Sequence, residues 1–435
     1  MTSLTNATTS RDVTLPRQHD ILATAARPLA FGAALTNTWT GVRIAGVGLA
    51  DFLLVAASVL VVLGAGANRR RLPIYGWAVF PPITLLLIAL IGSVTRGDPL
   101  SSTRGISEWS VNISTGASYG GAIPLVLRLT LSLTAVSIIV VGLGSATYGG
   151  RSMVKTLMST WAMGAALSAA YGLLGLTPVG ELLHLRNLPF LSYYISPNRV
   201  TGLAHHPNSF GITIALAMPM LMYLLGATRG WRKGVLALAQ PVCLYAIFLS
   251  GSRAAMLGGA VLVVATLAYL VYHAKRIPTG ALLLSLLLLP AAVAAIPEIL
   301  SASRFFTKSA QLSNAARASA LQRGIDLFKE NPLFGAGVGS WTGEFIPLIL
   351  LTSGGVVFFA VFYGCLSYPI LRRNRDIQGP FVPILVISSI GVLGFGLLNN
   401  GIAERYLYWP FAALYAMSIL SAQQAKHSMP VDASD

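Results

Sequence analysis

Long apolar runs alternate with short polar turns through almost the whole chain. The runs fall at 21–39, 47–65, 75–94, 122–144, 156–176, 208–227, 235–250, 254–272, 279–296, 345–370, 382–398 and 406–421. Several reach the roughly 20 residues that a helix needs to cross a bilayer. They are continuous rather than alternating, which excludes a β-barrel. The pattern predicts an all-α polytopic integral membrane protein of about twelve transmembrane helices. A single membrane domain at 20–422 then lies between polar tails at 1–19 and 423–435. The first tail has no apolar core of a cleavable signal peptide. The first run is the weakest, interrupted by Arg27 and Pro28.

One long polar segment, 298–344, stands between strongly apolar ones. Arg304, Lys308, Arg317, Arg323 and Lys329 make it cationic. Arg317, Leu321, Ile325 and Phe328 recur at helical spacing, so a helix with one arginine on its packing face is predicted. Asn331-Pro332 should end it, because the residue before proline is pushed out of the α region. Gly335, Gly337 and Gly339 then permit tight turns and close backbone approach to a ligand. A cationic helix and a glycine turn at a membrane surface fit an anionic, lipid-borne substrate. An amphipathic helix lying on its own bundle is the plainer alternative.

Charge fixes the expected sidedness. The turns at 68–71, 151–155, 228–233, 274–276 and 371–375 contain Lys and Arg and no Asp or Glu. They are expected to face the cytoplasm, with both termini. Loops at 95–121, 177–207 and 298–344 then face outside. Of 435 residues, 54% are hydrophobic and 10% charged, with a formal net charge of +16. In this setting the charge belongs to membrane loops and an anion-binding face, and no nucleic-acid partner is expected. Cys243 and Cys365 both lie in apolar runs, which argues against a disulfide framework or a zinc site. No paired-Asp or His-cluster metal pattern occurs, and no metal or cofactor is expected. The spacing G-x-G-x-G at 335–339 lacks the βαβ context of a dinucleotide site.

An unusual set of arginines falls outside: Arg43, Arg96, Arg104, Arg186, Arg199, Arg253, Arg304, Arg317, Arg323 and Arg405. The planar guanidinium grips phosphate with two parallel hydrogen bonds and stays charged. Arg253 sits between two apolar runs, where an unpaired charge is costly. It either binds an anion or serves as an anchor, snorkelling or paired with Glu404 or Asp51. Arg104 and Arg186 read as ordinary loop charges.

Three stretches carry a resemblance. Residues 199–211 read RVTGLAHHPNSFG, residues 249–254 read LSGSRA, and Arg317 precedes FKENPLFGAGVGSW by a short helix. In this order, and outside a bundle of membrane spans, they resemble the O-antigen ligase and polymerase superfamily, including Wzy-type and exopolysaccharide polymerases. The R-x-x-G-L…H-P-N pattern resembles the polymerase branch more than the lipid A-core ligases. The resemblance runs from about residue 151 to the C-terminus. It implies a GT-C-like, inverting, metal-independent glycosyltransferase of the inner membrane whose active site faces the periplasm. Its donor would be an undecaprenyl-pyrophosphate-linked oligosaccharide, already activated, so that no cofactor is needed. Its other partners would be a glycan acceptor, the lipid bilayer, and a flippase or chain-length regulator. Arg199, Arg253 and Arg317 would bind the donor pyrophosphate, supported by Asn208 and Arg405.

One departure concerns the base. The ligase branch has a His-Asn pair after the glycine turn, and here Gly343 and Glu344 stand in that place. Glu344 is a candidate replacement, since a carboxylate can accept a hydroxyl proton. It also reads as a membrane-edge carboxylate paired with an arginine. His206 is the other candidate base, against a turn role before Pro207 with Asn208 capping the next helix. Two rival functions remain: a transporter or flippase of lipid-linked glycans, and a catalytically inactive scaffold homologue.

Overall fold

In the computed structural model the described residues are 18–44, 47–67, 77–96, 122–145, 149–185, 188–191, 199–273, 308–341, 343–372, 380–398 and 401–428. The expected span at 279–296, the basic turns at 68–71 and 274–276, and Arg104, Arg186 and Arg304 lie outside them. The described chain is a helical bundle. Its elements are α1 (Gln18–Thr36), α2 (Leu49–Ala67), α3 (Phe80–Arg96), α4 (Ala122–Leu143), α5 (Gly150–Leu174), the short α6 (Pro178–Leu182), α7 (Pro207–Ala227), α8 (Trp231–Leu249) and α9 (Arg253–His273). There follow α10 (Lys308–Glu330), α11 (Ile346–Leu371), α12 (Phe381–Gly396) and α13 (Trp409–Ser428).

Seven of these helices are long and apolar enough to cross a membrane: α2, α4, α5, α7, α8, α9 and α11. Apolar stretches of α1, α3 and α12 are shorter. The protein is therefore a helical, polytopic membrane protein. Its outer surface agrees with that reading. Leu238, Leu257, Val261 and Val264 on α8 and α9 are well over half exposed, which suits hydrocarbon rather than water.

Helix α7 lies at the centre. Every residue from Phe210 to Leu221 is buried, as expected of a helix that is apolar all round. It packs on α5, α8, α9 and α12, while α13 packs on α4, α5, α11 and α12. Helix α10 leans on α11. One departure from an all-helical chain precedes α2. Strands β1 (Arg43–Ile44) and β2 (Val47–Gly48) pair antiparallel, and Val42 bridges Leu191. Val42, Ile44 and Val47 are β-branched and favour extended backbone.

The expected single span at 345–370 is broken. Gly354 (φ −148°, ψ 15°) and Gly355 (φ 65°, ψ −166°) leave the helical region inside α11. The turn after α10 fills the gap. Val356 N–H donates to the Pro332 carbonyl at 2.9 Å, and Ala336 N–H donates to the Thr352 carbonyl at 2.7 Å. A side chain at Gly355 would overlap the Leu333 carbonyl group. Non-helical backbone at membrane depth is tolerated when buried in protein and hydrogen-bonded, as here. Eight residues of helix precede Gly354, about 12 Å of rise. A Cβ on Gly354 would meet the side chain of Ile88, half way along α3.

Candidate functional site

The contacts place the arginine motifs at one end of the bundle and basic turns at the other. At the far end Arg151, opening α5, donates to Ser421 of α13, and Lys155 lies over the Phe381 ring that opens α12. At the near end lie the start of α7, the tip between α8 and α9, α10, and the start of α11.

The site builds from α7 outward. His206 caps α7: its Nδ1 accepts from the Asn208 N–H at 3.1 Å, and Pro207 takes the first helical position. The cap is therefore His206 and not Asn208, whose carboxamide is used elsewhere. Arg199 Nη2 donates to Asn208 Oδ1 at 2.6 Å, and Arg199 Nε donates to the Ser250 carbonyl at 2.7 Å. Arg199 thus ties the start of α7 to the end of α8. Ser250 belongs to the tight turn Leu249–Ser252, after which Arg253 opens α9. Arg253 Nη2 donates to Asn314 Oδ1 of α10 at 2.9 Å. One helical turn along α10, Arg317 Nη2 meets Glu344 Oε2 at 2.7 Å.

Three contacts therefore lie along adjoining elements: Arg199 to Ser250, Arg253 (three residues on) to Asn314, and Arg317 (one turn along α10) to Glu344. They involve three of the sequence-predicted arginines and Glu344, with Asn208 held on Arg199. Asn314 lies outside the motifs, and Ser250, inside LSGSRA, takes part through its backbone carbonyl, which the motif does not reveal. The signal for Asn314 is its place three residues before Arg317, on the same face of a helix.

Helix α10 is seated by small residues. Trp341 Nε1 donates to the Ala320 carbonyl at 2.7 Å, and a Cβ on Gly324 would overlap the Trp341 ring. Trp341, Leu348 and Ile349 form the small core beneath it, with Ile325, Leu327 and Phe328 packed on. Asn331-Pro332 ends the helix as expected. Gly335, Gly337 and Gly339 all have positive φ. The close approach that Gly335 permits is to the Thr352–Gly354 backbone of the broken helix.

Electrostatics separate the two candidate bases. The His206 imidazole is pushed down to about 4, by burial first and then by the Arg199 and His205 charges. At neutral pH it is uncharged, with weakened basicity. Glu344 is half exposed, at 38% for its side chain against 42% for Arg317. An ion pair this open contributes between zero and about 1 kcal/mol.

Arg405 belongs to a second, buried charge group. Its Nη1 donates to Asp51 Oδ1 at 2.7 Å, with side chains only 10% and 19% exposed. Its Nε and Nη2 are buried without a hydrogen-bond partner among the described residues, and a Cβ on Gly48 would come within 3.2 Å of Nη2. Burial pushes the Glu404 carboxyl up, while nearby Arg128 and Arg405 pull it down. Burial, then Arg405, lowers Arg43. The two groups are linked through the hairpin, since Gly41 N–H donates to Leu203 O and His205 N–H to Thr40 Oγ1. No group of three His, Cys, Asp or Glu side chains suited to a metal occurs among the described residues.

Comparison with known proteins adds one match. Residues 238–350 fit the family model described as O-Antigen ligase. No curated protein matches the chain. The matched stretch contains Arg253, Asn314, Arg317 and Glu344, whereas Arg199, His206, Asn208 and Arg405 lie outside it. The stretch at 238–350 is similar to the O-antigen ligase family and sits within a bundle of membrane helices, which supports the resemblance to O-antigen ligases and polymerases.

Proposed function

We propose that this membrane protein polymerises or ligates glycans carried on undecaprenyl pyrophosphate, at the outer face of the inner membrane. The observation that carries the reading is the placement of Arg199, Arg253 and Arg317 on adjoining elements, through Arg199 to Ser250, Arg253 to Asn314 and Arg317 to Glu344. It gathers guanidinium groups along one edge, where a diphosphate would be held. Positive charge arranged in advance, where leaving-group charge grows, lowers the barrier most. In this reading Arg199, Arg253 and Arg317 hold the donor diphosphate as it departs. Asn208 orients Arg199, and Arg405 supports the cluster from the neighbouring group. The acceptor hydroxyl attacks the anomeric carbon with inversion, without metal or other cofactor, in the manner of GT-C enzymes. Glu344 is the preferred base and His206 the lesser one, because the carboxylate is half exposed and the imidazole is a partly buried cap whose Nδ1 already accepts from Asn208 N–H. About twelve spans with cytoplasmic termini would set loops 95–121, 177–207 and 298–344 outside, within reach of a flippase or chain-length regulator.

Reconstitution tests the reading. The full chain in proteoliposomes, supplied with lipid-linked glycan donor and acceptor, should extend or transfer the glycan. Transbilayer movement of the donor without any new glycosidic bond would make the protein a transporter instead. A reporter inserted near Ser313 should behave as external.

A further inference from the structure

We infer that Glu344 is a built-in stand-in for the donor's diphosphate on Arg317, and that arrival of the diphosphate releases this carboxylate to act as base. The inference rests on the function proposed above. Arg317 Nη2 and Glu344 Oε2 are 2.7 Å apart, so the arginine that would bind phosphate already holds an anion. A carboxylate and a phosphate offer a guanidinium the same pair of oxygens. They compete for one fork.

The surroundings make the exchange easy for the side chain and hard for the backbone. Glu344 stands between two fixed points. On one side Trp341 is bonded to Ala320 and packed on Gly324. On the other, the Phe345 carbonyl accepts from the Leu348 and Ile349 N–H groups at the start of α11. The carboxylate itself is half exposed. It can swing off Arg317 by rotation about its own bonds and stay within a side chain's reach of whatever Arg317 then holds. Before the donor binds, the carboxylate is held on the Arg317 guanidinium and is not free to face an acceptor hydroxyl. Diphosphate binding takes its place on that guanidinium. The carboxylate is therefore released only when the leaving group is in place.

The step balances. The acceptor hydroxyl oxygen bonds to the anomeric carbon. The bond from that carbon to the diphosphate oxygen breaks, and its electron pair leaves on the lipid diphosphate beside Arg317. The hydroxyl proton passes to Glu344 and from there to water.

Titration calorimetry on the detergent-purified full chain tests the exchange, with inorganic pyrophosphate as the probe. Glu344→Gln removes the competing charge and should tighten pyrophosphate binding about three- to tenfold. Transfer by the same variant in proteoliposomes should fall at least about tenfold, and Glu344→Asp, which keeps the charge, should recover part of it. Unchanged pyrophosphate affinity in Glu344→Gln, with weaker binding in Arg317→Ala, overturns the exchange and leaves the arginine reading intact. Unchanged affinity in Arg317→Ala, or no binding by the wild type, removes Arg317 from the donor site altogether. Tighter binding with normal transfer in Glu344→Gln overturns the base. A phosphatidylglycerol dispersion is the second probe. Equal tightening towards it would make Glu344 a guard against any anionic headgroup, and overturns the assignment to a diphosphate.

Discussion

Arg253 reaches across 2.9 Å to Asn314, which fastens the tip of the α8–α9 hairpin to the cationic helix α10. The contact stands one helical turn from Arg317, so two guanidinium groups distant in sequence share one face of α10. Arg253→Lys retains the charge and loses the fork, since an ammonium cannot make the paired grip on phosphate. Transfer should fall at least about tenfold while the amount of protein in the membrane stays level. Quantifying product against membrane-inserted protein checks this. Normal product from Arg253→Lys would reduce that residue to an anchor.

The Asp51–Arg405 pair should behave differently. Both side chains are mostly buried, so truncating one strands the other charge. Breaking such a pair costs about 3–5 kcal/mol. Asp51→Ala is expected to lower the thermal midpoint of the purified protein sharply. The double variant Asp51→Leu with Arg405→Met should recover most of the loss, because apolar residues of similar volume often replace a buried pair without cost. A double variant as unstable as the single one would contradict this account.

His206 gives a pH dependence with a definite sign. Its folded value of about 4 lies below the ordinary 6.5, so the unfolded chain binds the extra proton between those limits. Stability contributed by the neutral imidazole is complete above pH 6.5 and is lost as pH falls towards 4. His206→Asn keeps a good helix cap and removes the titration. Its melting temperature should vary less than the wild type's across that interval. Transfer at neutral pH should drop less than in Glu344→Gln.

Gly355→Ala should fail to fold properly. The position has φ 65°, and the added Cβ would lie 2.1 Å from Leu333 backbone atoms. The left-handed backbone alone costs about 1–3 kcal/mol. Size-exclusion profiles of the detergent extract should show aggregated or missing protein. Gly364→Ala, where a Cβ meets nothing within 4 Å, is the control.

The helices were readable from the sequence because an apolar run of spanning length has few other solutions in a bilayer. The end of α10 at Asn331-Pro332 was readable because proline acts on its immediate neighbour. Contacts across the chain were not. Nothing in local spacing says that Arg199 will meet Ser250, or that Asn314 will receive Arg253. The break at Gly354-Gly355 had a local signal, two adjacent glycines in an apolar run, but hydropathy averages over it. The hairpin before α2 is too short to show a period. Glu344 was legible as one of two things, a base or an arginine's partner, and the ion pair to Arg317 supplies the second.

The turn that fills the gap in α11 gives the loop and the span one shared set of hydrogen bonds. Pro332 and Ala336 complete a helix to which they do not belong. A pull on α10, such as a lengthening glycan would exert, cannot be absorbed by slack in the loop. It arrives at the backbone of Thr352 and Val356 as strain within α11, and that helix in turn restrains how far α10 can lift. Amide hydrogen exchange would register this linkage. Protection at Val356 should fall together with protection at Ala336 whenever α10 is loosened, and slow exchange at Val356 with Ala336 fully exchanged would show the two to be mechanically independent.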